Sequence, residues 1–125
     1  MDYVRELLLK IEADGLPVKS STSLMQPGAT DEDQRRLNYH LEMVIDEAKL
    51  VKAIPAHHMQ GREWINLQLT WTGHEFIETV RDAEVWQRTK AGAKKAGNFG
   101  LDFILEIAKA YGKHVAKERL GIDLS

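Results

Sequence analysis

The stretch from Trp64 to Asp82 constrains this chain most, because within it the hydrophobic period changes from two to helical. Trp64, Asn66 and Gln68 alternate with Ile65, Leu67 and Leu69, as in a strand with one buried face. Phe76, Ile77 and Val80 then recur at helical spacing. A strand that feeds straight into a helix ties the two halves of the chain together, and it predicts Phe76, Ile77 and Val80 buried between a hairpin and the first helix. Thr70 or Thr72 can cap this helix through its hydroxyl, and Glu75 stands three residues after Thr72 as in a capping box.

The flanking segments read more simply. Asp2 to Ala13 places Val4, Leu7, Leu8 and Ile11 on one helical face, with Asp14-Gly15 as the stop. Leu16 to Gln26 suggests a short edge strand or extended segment closed by Pro27-Gly28. Thr30 caps a second helix with Asp33 at its third position, and Leu37, Leu41, Val44, Ile45 and Ala48 form its buried stripe through to Lys49. Leu50–Ala56 and Arg62–Leu69 read as a hairpin turning at His57 to Gly61. Asp82 can cap a renewed helix running to about Lys95, or that helix can continue from the one before. Asn98 can cap a last helix that ends at Gly121 and carries Leu101, Ile104, Leu105, Ala108, Tyr111 and Val115. Its interior Gly112 costs about 1 kcal/mol relative to alanine, which points to a close helix contact or an exposed weak spot.

Composition narrows the setting. A chain of 125 residues that is 43% hydrophobic and 29% charged is a globular domain, or one small domain with an appended helical element. No run approaches the roughly 18 apolar residues of a membrane span, and Asp2 and Glu6 stand where a secretory signal has basic residues. The absence of cysteine removes any disulfide framework and fits a cytoplasmic protein. Residues 85 to 120 hold eight basic side chains against three acidic ones, while the whole chain has a net charge of −2. Such a basic patch suits nucleic acid or the acidic part of a neighbouring subunit.

The order of parts is that of an α+β winged helix-turn-helix-like domain, in which helices pack on a small antiparallel hairpin. It places that domain at residues 1–82 and a C-terminal helical pair, a candidate dimerisation element, at 83–125. Thr30 to Lys49 takes the place of the recognition helix, His57 to Arg62 that of the wing tip, and the extra helix before the recognition helix is missing. The sequence also resembles a family of small uncharacterised bacterial and prophage proteins, a domain of unknown function with a winged-helix N-terminal part. Met1-Asp2-Tyr3-Val4-Arg5, Tyr39-His40-Leu41, Ala48-Lys49-Leu50-Val51 and above all Leu69-Thr70-Trp71-Thr72-Gly73-His74-Glu75-Phe76 carry the resemblance. Lys49 departs from it, standing where the family usually has glycine. The resemblance implies a fold and a setting but no reaction.

The candidate site is a nucleic-acid surface. Arg35, Arg36 and Tyr39 lie on the exposed side of the second helix, Arg62 at the wing, and Lys94 and Lys95 in the basic third, all as candidate contacts to double-stranded DNA. Glu32, Glu42, Asp46 and Glu47 crowd the same helix with carboxylates that repel phosphate. The expected function is therefore a non-enzymatic regulator that binds DNA as a homodimer, its C-terminal apolar stripe forming the dimer contact. The alternative is a protein-interaction module that keeps the fold without binding DNA. No catalytic, cofactor or metal residues are assigned: His57 and His58 lack a third ligand at metal spacing, and His74-Glu75 lacks the second histidine of a zinc-protease motif because Glu78 stands there. Trp64, Trp71 and Trp86 are expected in the core or in packing between helices.

Overall fold

The computed structural model describes residues 2–13, 17–59 and 61–121, so the expected stop at Asp14-Gly15 lies outside the described residues. The protein is mixed α+β, and its chain divides into two compact units, Asp2–His74 and Glu75–Ser125.

In the first unit, helix α1 (Asp2–Glu12) buries Val4, Leu7, Leu8 and Ile11. Strand β1 (Val18–Ser20) follows, then a single 3-10 turn, Ser21–Leu24, at the place where no helix was expected. The Ser/Thr-rich run builds this turn: Ser20 Oγ accepts from Thr22 N at 3.2 Å, and buried Ser21 Oγ accepts from Trp64 N at 3.0 Å. Helix α2 (Asp31–Glu42) opens with the expected capping box, Asp33 N donating to Thr30 Oγ1 and Thr30 N to Asp33 Oδ2. Leu37, Leu41 and Val44 are buried. Ile45 and Ala48 are only half-buried, because the last turn, Met43–Glu47, opens into a π-turn and swings them off the stripe.

Strands β2 (Val51–Pro55) and β3 (Trp64–Leu69) form the hairpin, and β1 joins its other side to give an antiparallel sheet of order β1-β3-β2. The alternation expected along β3 breaks midway. Lys52 pairs with Gln68 but Ile54 pairs with Ile65, so Asn66 and Leu67 together oppose Ala53, and Asn66 takes the left-handed φ of 54°. This bulge shifts the facing by one residue. Trp64 therefore turns into the core beside Leu67 and Leu69, while Ile65 is left half-buried.

Lys49 also stands in the left-handed region, at φ 54°. The tight stop after α2 thus forms without glycine, with Leu50 N donating to Val44 O at 2.8 Å. A β-carbon makes that conformation cost about 1–2 kcal/mol, and glycine returns part of the gain as chain entropy. Lys49→Gly should raise stability by about 0.5–1 kcal/mol, seen as a higher urea midpoint at unchanged slope. A fall in midpoint would place an interaction of the lysine side chain above the backbone term.

Helix α3 (Trp71–Val80) is capped by Thr70, whose Oγ1 accepts from Gly73 N at 3.1 Å; Thr72 does not supply the cap. In the second unit Phe76, Ile77 and Val80 are buried, but the neighbour Phe76 shows is Trp86, edge-on at 6.5 Å between ring centroids, and not the hairpin or first helix of the expectation. The chain breaks after Val80, and Asp82 caps helix α4 (Ala83–Ala96) by accepting from Glu84 N and Val85 N. Gly97 ends α4 at a left-handed φ of 70°. Helix α5 (Leu101–Leu120) starts from Gly100 without a side-chain cap, since Asn98 Oδ1 is spent on Gly100 N at 2.9 Å. Gly112 sits where a β-carbon would lie 2.9 Å from Thr79 Cγ2, which makes it a close helix contact. Ile104, Ala108 and Val115 of the apolar stripe are buried within the chain itself.

Candidate interaction surface

Burying Leu37, Leu41 and Val44 turns the opposite side of α2 outward. Arg35 is exposed there, and Tyr39 is 66% exposed. The first turn adds Asp31, Glu32 and Asp33, all exposed. These carboxylates suit the positive end of the helix. Asp33 in particular is held below the usual carboxylate range, first by the Thr30 backbone N–H and then by the Thr30 hydroxyl. The leading end of α2 is thus ringed by negative charge.

Arg36 and Arg62 are engaged within the fold. Arg36 lies with its guanidinium carbon 4.4 Å from the centre of the Tyr3 ring. His40 stacks on the same ring at 4.3 Å and donates from Nδ1 to the Arg36 carbonyl at 2.7 Å, while Tyr39 meets His40 edge-on at 5.3 Å. Burial pushes the Tyr3 phenol up, with Arg36 opposing it. Arg62, in the segment between β2 and β3, pairs with Glu42 of α2. The structure therefore brings Arg36, Tyr39 and Arg62 to α2 and its hairpin. In the other unit, Lys94 and Lys95 are exposed on the last turn of α4.

The segment that joins β2 to β3 is fixed by Glu63. Its carboxylate accepts from Ser20 Oγ at 2.6 Å and lies 3.6 Å from His58 Nε2, and its backbone N–H donates to His57 Nδ1 at 3.1 Å. His57 also stands edge-on to Trp64 at 4.9 Å, so both histidines between β2 and β3 are used in holding the hairpin. Among the described residues no three His, Cys, Asp or Glu side chains gather as a metal site would require.

Trp71 corrects the expectation that all three tryptophans are core residues. Trp64 and Trp86 are buried, but Trp71 is 79% exposed. The reason is its position on the helical wheel: Gly73, Phe76, Ile77 and Val80 mark the buried face of α3, and Trp71 falls on the opposite side. That angle was readable from the sequence. Ile54 and Met59 add exposed apolar surface along the hairpin.

The most specific motif in the chain proves to be architectural. Thr70 N donates to Leu50 O at 2.9 Å, Thr70 Oγ1 donates to Lys49 O at 2.6 Å, and a β-carbon on Gly73 would stand 2.0 Å from Leu50 O. Leu69 to Gly73 is thus a clamp on the turn after α2.

Over 109 residues the chain is 31% identical to an uncharacterized protein of Haemophilus influenzae, which covers 86% of this chain and 89% of that protein. No solved structure matches. Residues 1–99, from the start of the chain to the end of α4 and just short of α5, match the family described as Hypothetical protein (DUF2513), and the chain belongs to that family.

Proposed function

We propose that this chain is a non-enzymatic protein-interaction module of bacterial or prophage origin, built on a winged-helix arrangement whose α2 meets a protein. The element order and the central place of β3 between β1 and β2 support the winged-helix reading, with the 3-10 turn standing for the missing helix. One observation carries the function. The exposed face of α2 presents an aromatic side chain, Tyr39, behind three exposed carboxylates, while Arg36 and Arg62 are engaged with Tyr3 and Glu42. Residues 2–74 hold eleven Asp and Glu against eight Lys and Arg, and a phosphate backbone would be repelled by that balance. Aromatic residues beside charge are, by contrast, the usual anchors of protein interfaces.

The second reading, a DNA-binding regulator acting as a dimer, is favoured by exposed Arg35 near the start of α2 and by Lys94 and Lys95. Two measurements separate them. With a photo-crosslinking amino acid at Tyr39, cells should yield an adduct that resists nuclease and is lost to protease. Fluorescence anisotropy with random-sequence duplex DNA at low salt should show no binding by the full chain. Binding that weakens steeply with added salt, or a nuclease-sensitive adduct, would overturn the protein-interaction reading in favour of the regulator.

A further inference from the structure

Within residues 75–121, the second half of α3 and α5 lie against each other at Gly112, whose missing β-carbon lets Thr79 come close. Beside this contact runs an open trough of about 730 Å³ floored by small and apolar side chains, including Gly112, Val115 and Ala116. Its two rims differ in sign. Glu75 and Glu78 stand along α3, and Lys109 and Lys113, one turn apart, stand along α5. All four are exposed, and among the described residues no ion pair spans the trough; Glu78 instead pairs with Arg81 on its own helix. The trough ends at Asp82 and Arg119, which do pair, and at Leu120, which is 65% exposed.

We propose that this trough is a self-association surface, and that its occupant is the same trough of a second copy of the chain. An acidic rim facing a basic rim is self-complementary about a two-fold axis lying along the trough: each copy's Glu75 and Glu78 then meet the other's Lys109 and Lys113. A partner of one sign is repelled by one of the two rims, so nucleic acid is a poor occupant and a surface carrying both signs in the same arrangement is a good one. Pairing also removes Leu120 and the exposed parts of Gly112 and Ala116 from water. This surface differs from the stripe that the sequence suggested, since Ile104, Ala108 and Val115 are already covered within the chain. It shares no residue with the α2 face, so the two proposals stand or fall separately.

Sedimentation velocity on the full chain at high micromolar concentration tests it. In low salt a dimer is expected, and it should dissociate in molar salt as the rims are screened. Variant Lys109→Glu with Lys113→Glu, and variant Glu75→Lys with Glu78→Lys, should each be monomeric. An equal mixture of the two should restore a dimer containing one of each, because the reversed rims are then complementary again. Restoration also shows that both variants are folded. The proposal is overturned if the unaltered chain is monomeric in low salt, if the single variants dimerise like the unaltered chain, or if folded variants fail to pair on mixing.

Discussion

Gly73→Ala should destabilise residues 2–74 by about 3 kcal/mol or more, a loss that would leave little of the folded population in a domain of ordinary stability. The expectation rests on one distance. A β-carbon at this position would lie 2.0 Å from the carbonyl oxygen of Leu50 and 3.0 Å from its carbon, both backbone atoms that no rotamer change can move aside. Leu50 is itself held from both sides. Its N–H donates to Val44 O and its carbonyl accepts from Thr70 N, so any retreat breaks the ladder that joins α2 to the end of β3. Thr70 ties the neighbouring carbonyl of Lys49 as well, while capping α3 through Gly73 N. Thr70→Val is the matched control. It keeps the shape, loses the cap and one hydrogen bond, and should cost about 1–2 kcal/mol. Urea denaturation followed by tryptophan fluorescence reads both, and a loss for Gly73→Ala no greater than for Thr70→Val would show that the clamp tolerates a side chain.

Phe76→Ala should cost about 3–5 kcal/mol, as a large side chain removed from a closed core. Phe76 is 3% exposed, and its ring meets Trp86 edge-on in a geometry worth about 0.5–1.5 kcal/mol beyond the buried area. Phe76→Leu separates the two contributions, since it keeps most of the volume and loses the ring pair. Calorimetric melting of the full chain should rank Phe76→Ala well below Phe76→Leu and both below the unaltered protein. A loss under 1 kcal/mol for the alanine variant would mean that the site collapses around the cavity.

The ends of α4 and α5 show a different kind of stabilisation. Asp82 both caps α4 and receives Arg119 of α5; Arg119 also reaches Glu84, which pairs with Arg88. The Arg119 hydrogen bond, ahead of the Val85 N–H, holds the Asp82 carboxyl below the usual carboxylate range. These groups are exposed, so the network contributes geometry more than energy: it sets where the last turns of α5 rest against the start of α4.

The local sequence alone determined several features that depend on a few consecutive residues, though not the 3-10 turn at Ser21–Leu24 or the start of α5. Periodicity placed α1, α2 and the hairpin, Thr30 with Asp33 specified a capping box, Asp82 a cap, and Gly121 a stop, because each is a short-range match between side chain and backbone. The wheel position of Trp71 belongs to the same class. Contacts between distant segments decided the rest. The bulge at Asn66, which turns Trp64 inward, depends on the register that β2 and β1 impose on β3. The engagement of Arg36 depends on α1 bringing Tyr3 beneath it, and that of Arg62 on the β2–β3 connection folding toward Glu42. A charge counted in sequence is a candidate contact. Whether it is still open to a partner is settled by which groups the tertiary fold sets within a few ångströms of it, and a linear pattern holds no such distance.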